Sequence, residues 1–282
     1  MGTSQSSTGP GAGVALVPPW ADDVESVDVD VDVDGDAEAT SPDDGGVDDN
    51  EQAGSDLTPL APPARFRGAR RSLGAYARNG DSRELRRTLG HYVRTGYGGS
   101  GTMTRRLGGT AVTANRLGGV LQSGRMPDGT DLRDAIIAGG NDVNVVLDAI
   151  ADAASPADGT QDKEASRRAV RDSLSELLVK YPDADLAALS NEQRLFVIER
   201  YAALDVYGRF CLDLQKTVLE KAADAATGLR RLRSIREFIV QHVAAAFRAV
   251  RERGSAATSR SIGRLTNAAL KETLAVFEEY TT

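Results

Sequence analysis

The chain has 282 residues, 40% of them hydrophobic and 27% charged, with a net charge of −7, one cysteine and two histidines. A single cysteine excludes an internal disulfide, and Cys211, His91 and His242 are too few and too scattered to build a Cys/His zinc site, so neither metal nor cofactor is indicated. No stretch reaches the roughly 18 uncharged apolar residues of a membrane span, and the first residues have no basic n-region or apolar h-region, which predicts a cytoplasmic protein without membrane contact.

The charge is unevenly placed. Residues 1–64 hold fifteen acidic residues and no lysine or arginine, while the remainder holds 34 basic against 26 acidic residues. Residues 1–64, rich in Gly, Pro, Ser and Asp, read as a disordered tail, because their apolar residues are too few to offset the entropy of ordering. The tail opens MGTSQSSTGPGAGVALVPPW. MGTSQS fits the myristoylation pattern, with Gly2 and Ser6 in place. A composition heavy in Ala, Arg, Asp and Gly with little Lys points instead to a high-GC bacterium, where that modification is not expected. After loss of Met1, an unhindered Gly2 on a mobile leash could enter another protein's active site. Val14 to Trp20 then serves as a docking segment, with Pro18 and Pro19 stiffening it toward polyproline II and Trp20 as a large apolar anchor. The alternative is that Trp20 folds back onto the helical body.

Further along, Val27 to Asp34 reads VDVDVDVD. Asp30, Asp32, Asp34 and Gly35 match half of an EF-hand loop, but Ser41 stands where the bidentate Glu belongs and neither flank is helical. A solvated acidic linker is the better reading. The prolines of APPAR, Ala61 to Arg65, close the tail.

From Phe66 the pattern becomes helical. Leu73, Tyr76 and Ala77, then Leu85, Leu89, Tyr92 and Val93, fall at spacings of three and four, with Gly80 as a stop and Asp81 or Ser82 as the next N-cap. A turn from Gly96 to Gly101 formally satisfies G-x-G-x-x-G. A dinucleotide loop needs a strand before it, and here a helix precedes it, so a helix–helix connection is the better reading and a phosphate cradle the weaker one. Helices are predicted at about Thr102 to Leu121, Asp131 to Ala138, Asn141 to Ala154, Lys163 to Lys180, Asn191 to Ala226, Leu229 to Arg253 and Thr258 to Tyr280. No strand pattern is found after residue 64. The predicted class is all-α: a multi-helix bundle of nine or ten helices preceded by the long acidic tail. Its parts are the tail at 1–64, a basic Arg/Gly-rich helical region at 65–126 and a C-terminal bundle at 127–282.

The basic region carries thirteen arginines against only Asp81 and Glu84. Arg65, Arg67, Arg70, Arg71, Arg86, Arg87, Arg105 and Arg106 are its candidate binding residues, for nucleic acid or for an acidic partner, the chain's own tail included. RRLGGTA and NRLGGVL repeat an Arg-Leu-Gly-Gly core, which reads as close helix packing with a basic backbone-exposing surface as the alternative. No catalytic set emerges: His91 and His242 have no Ser or Cys nucleophile near them in sequence, and Cys211 reads as a core thiol.

MGTSQSSTGPGAGVALVPPW, then after the acidic spacer ARFRGARRSLGAYARNGDSRELRRTLGHYVRTGYGGSGTMTRRLGGTA, resemble the QatB family of the Qat anti-phage defence system, most strongly over residues 1–20 and 63–112. The resemblance implies partners: a QueC-like protein of the QatC type, an ATPase and a TatD-like nuclease. It also implies a role. The protein would be a non-enzymatic defence component that binds the QueC-like partner through its tail. Gly2, with Thr3 and Ser4 as recognition, would be processed or conjugated there. The alternative is a nucleic-acid-binding adaptor that uses the 65–126 region to recruit the nuclease or ATPase.

Overall fold

The computed structural model describes residues 15–17, 60–140, 142–253 and 262–281. Ten α-helices and one π-turn occupy them, and among the described residues there is no strand. The all-α expectation holds.

Helices α1 (Arg67–Asn79) and α2 (Ser82–His91) form an antiparallel pair. The break between them is the one the sequence predicts. Gly80 ends α1 in the left-handed region at φ 76°, its N–H donating to the Tyr76 carbonyl, and the Asp81 carboxylate caps α2 by accepting from the Arg83 amide. The π-turn Tyr92–Gly96 carries the chain past Gly98 and Gly99, both at positive φ, into α3 (Ser100–Arg106). The single helix expected from Thr102 to Leu121 is two: α3 stops at Leu107, and α4 (Gly108–Ser123) restarts after it. The apolar period runs through the break unchanged, with Met103, Leu107, Ala114 and Leu117 all buried.

Next come α5 (Leu132–Ala138), α6 (Val143–Ala154) and α7 (Gln161–Lys180), each capped by the side chain before it, Asp131, Asp142 and Thr160 in turn. The axis of the molecule is α8 (Asn191–Lys221), which begins in a capping box of Ser190 and Gln193. Residues 201–206 of α8 are all buried, so the middle of this helix is covered on every side. Helices α7, α9 (Ala225–Glu252), α1 and α4 pack around it, and α10 (Ile262–Glu279) closes the bundle against α4 and α9.

The Arg-Leu-Gly-Gly repeats divide in their roles. A β-carbon at Gly118 would run into the Ile262 side chain, so this glycine lets α4 and α10 cross closely. Gly109 and Gly119 face open space. His242 belongs to the core: its Nδ1 lies 2.8 Å from the Phe238 carbonyl and its Nε2 2.9 Å from the Tyr280 hydroxyl. A carbonyl can only accept, so Nδ1 carries the hydrogen and Nε2 faces the hydroxyl as acceptor when the ring is neutral.

Candidate functional site

The feature that departs most from an ordinary helical bundle is a buried network of charge beneath the start of the chain. Its first part is aromatic. Phe66, Tyr92 and Tyr97 pack ring against ring at centroid distances of 5.2–5.7 Å. Both tyrosine hydroxyls donate to the same carboxylate oxygen, Asp213 Oδ2 on α8, from 2.8 Å for Tyr92 and 2.6 Å for Tyr97. Burial raises the Asp213 pKa, and the Tyr97 and Tyr92 bonds hold the rise back. The tyrosines are themselves pushed up, first by burial and then by the Asp213 charge.

Arginines cover this cluster. Arg65, 7% exposed, lies 4.4 Å over the Phe66 ring and 5.1 Å over Tyr97. The turn that delivers it is strained at Ala64, φ 52°, the one described non-glycine residue in the left-handed region. Arg106 stands 5.8 Å over Tyr97 and continues the network to Asp162 at 3.6 Å. Asp162 also accepts from Arg209 at 2.7 Å, and Arg209 faces Asp205 at 3.6 Å. Asp205, fully buried, accepts from the Thr110 hydroxyl at 2.5 Å, and its second oxygen has no partner among the described residues. Burial opposes the Arg209 charge, but Asp205 and Asp162 more than offset it and raise the pKa.

The tail enters here. Ala15 pairs with Leu60 in an antiparallel bridge, and Leu16 and Val17 are 2% and 0% exposed. Arg106 donates to the Leu16 carbonyl at 3.4 Å. Gly2, Thr3, Ser4, Pro18, Pro19 and Trp20 lie outside the described residues, as do the VDVDVDVD run and the EF-hand half-match.

The eight candidate arginines do not share one surface. Arg65 and Arg106 are built into the network, and Arg70 stands 5.9 Å from the Phe66 ring. Arg67 and Arg71 are exposed on α1, and Arg105 is half-buried. Arg86 reaches the Tyr280 ring of α10 at 5.8 Å, while Arg87 pairs with Glu84 at 3.4 Å. The phosphate-cradle reading of the glycine turn is weakened, because the Ser100 amide at the start of α3 already donates to Glu278 of α10 at 2.9 Å.

A groove of about 780 Å³ runs between α6, α7, α8 and α9. Three of its four arginines are paired with neighbouring acids, Arg167 with Asp152 and Glu164, Arg171 with Asp148, and Arg236 with Glu176, and Arg168 lines it beside them. Cys211 lines it, and burial pushes its thiol up to about 11, so it carries no thiolate at neutral pH. His91 is half-buried against Gly68, its pKa lowered by burial and by Arg87.

Sequence reasoning missed Leu16, Val17, Tyr97, Asp162, Asp205, Arg209 and Asp213 as members of one site. A signal was present in α8, where Asp205, Arg209 and Asp213 recur every fourth residue in a stretch that is otherwise apolar.

The family model of the Qat anti-phage system associated protein QatB matches residues 98–277. The chain belongs to the QatB family. Its assigned context is therefore anti-phage defence. The match begins at Gly98, against which Leu16 packs, and takes in Arg106, Asp162, Asp205, Arg209 and Asp213; Arg65, Tyr92, Tyr97 and the tail precede or border it. No curated protein and no solved structure matches the chain. Among the described residues, no helix is long and apolar enough to cross a membrane.

Proposed function

We propose that this protein is a non-enzymatic component of a bacterial anti-phage system that binds a QueC-like partner through its N-terminal tail, with Gly2 as the group the partner processes or conjugates. The observation that carries this reading is the seating of residues 15–17 on the body. It holds residues 15–17 against the body of the family fold, and Gly2 precedes them by thirteen residues in the sequence. The chemistry of the body agrees. The Cys211 thiol, raised by burial, is a poor nucleophile at neutral pH. The test is mass spectrometry of the intact protein and its N-terminal peptides, purified from cells with and without the QueC-like neighbour. A new mass or a cleavage at Gly2 that needs the neighbour supports the reading; an identical tail in both samples, beyond loss of Met1, sinks it.

The second reading, a nucleic-acid-binding adaptor, is favoured by the exposure of nine of the thirteen arginines in 65–126, among them Arg67, Arg71, Arg116 and Arg125. It expects DNA or RNA binding by the full chain that weakens steeply between 50 and 200 mM salt. Binding that is absent at the lower salt would remove it.

A further inference from the structure

The sequence changes character on either side of the seated residues. Residues 1–14 contain no charged side chain, and the 42 residues from Pro18 to Pro59 hold all fifteen acids of the tail. Between them, Ala15 pairs with Leu60, the Leu16 carbonyl takes a hydrogen bond from Arg106, and Leu16 and Val17 are buried outside the main hydrophobic core. The seat is shaped for them. Gly98 has φ 75°, so the backbone calls for glycine there, and a β-carbon would stand 3.0 Å from Leu16 Cδ1 and press on it. Arg106 holds the Leu16 carbonyl with one guanidinium nitrogen and faces Asp162 with the other, which joins the seat to the buried network.

We propose that Ala15–Val17 is a strap held in a peptide seat on the body, and that this seat fixes where the N-terminal head is presented. The protein partner that takes the head must therefore dock within the leash's reach of Gly98 and Arg106. This rests on the reading that the partner engages the tail. Gly2 stands thirteen residues before Ala15 and fifty-eight before Leu60. At about 3.4 Å per residue, the strapped head reaches at most about 45 Å from its anchor, against about 200 Å if only Leu60 held it. The effective concentration of a tethered group falls as about the −3/2 power of tether length, so releasing the strap lowers it about tenfold.

The first test needs no partner. The full chain carrying Ala15→Cys and Leu60→Cys is exposed to oxidised glutathione. The two positions face each other across the bridge, and Cys211, its thiol up at about 11, does not compete. The expected result is one disulfide, seen as the loss of two hydrogens in mass, and its disappearance when Leu16→Asp and Val17→Asp are added. No cross-link, or a cross-link that ignores the two aspartates, overturns the strap. The second test measures affinity for the purified QueC-like partner. Leu16→Asp/Val17→Asp is expected to weaken binding about tenfold, the cross-linked protein to bind as wild type, and a synthetic peptide of residues 1–14 to bind with its own fixed affinity. The thermal transition of the body serves as the folding control. Equal affinities for wild type and the aspartate variant overturn the presentation role while the cross-link result stands. Failure of wild type and peptide alike to bind overturns the tail reading itself, and the presentation role with it.

Discussion

Two stretches of α8 carry an acid–base pair at the same four-residue spacing, in opposite surroundings. In the middle of the helix, Asp205 and Arg209 are 0% and 8% exposed, and their charges are shared with Thr110 and Asp162. Near the C-terminal end, Lys216 and Glu220 stand 3.7 Å apart at 61% and 56% exposure. The spacing is the same, with the order of acid and base reversed, and the energetics are set by burial. Water solvates both members of the exposed pair whether or not they meet, so their attraction contributes little. The buried pair has lost that water, so each charge depends on the other, and removing one strands its partner.

The largest effect should come from stranding Arg209. Asp205→Ala leaves the guanidinium with Asp162 alone and the Thr110 hydroxyl without its acceptor, and costs about 3 kcal/mol, the low end of the range for breaking a buried pair because Asp162 still compensates part of the charge. For a body of this size that lowers Tm by about 10 °C, read by calorimetry or circular dichroism. A loss under about 1 kcal/mol would break the contrast between the two halves of α8.

Tyr97→Phe sharpens it. Removing one hydroxyl from Asp213 costs about 1 kcal/mol or somewhat more, since the acceptor is a carboxylate. Its pH dependence has a definite sign. Burial holds the Asp213 pKa above its unfolded value, so the folded state binds the proton more readily, and stability falls as pH rises through the folded pKa. The Tyr97 bond opposes that rise, so the cost of Tyr97→Phe grows from pH 4 toward neutrality. A cost independent of pH would remove Asp213 from the account.

Glu278 has the opposite sign and a smaller effect. Hydrogen bonds from Ser100 hold its carboxyl below the usual range. Its contribution is present above the ordinary glutamate pKa of about 4.3 and is lost as pH falls through the folded value. Glu278→Gln is therefore less stable than wild type at neutral pH, and the gap closes in acid. Denaturant titrations at pH 3 and pH 7 show whether it does.

The helices were legible because spacings of three and four need only local sequence, and Gly80 and Asp81 act within one turn. The break at Leu107 was not, because the apolar period continues across it. The site was less legible still. Asp205, Arg209 and Asp213 stand at helical spacing, but the stripe was read for its apolar members, and whether a charge on it is buried depends on helices far away in sequence. Arg65 and Arg106 were found by their charge, yet charge gave no warning that Tyr97, Asp162 and Asp213 would enclose them. Val14 to Trp20 is read from sequence as a segment that docks on a partner, whereas Leu16 and Val17 lie on the chain's own body, in a seat assembled from Leu60, Gly98 and Arg106 that no local pattern connects.

The smallest effect completes the comparison. Lys216→Ala removes the exposed pair and should change stability by no more than about 0.5 kcal/mol. Alanine is also the better helix former, which offsets part of any loss. Whatever remains is electrostatic between solvated groups, so it should vanish in 1 M salt, where the screening length is about 3 Å and shorter than the 3.7 Å separation. The Asp205→Ala deficit should persist in the same salt, because ions do not enter the packed interior around Thr110 and Arg209. If both variants respond to salt alike, water reaches the centre of α8, and the buried network is not sealed from solvent.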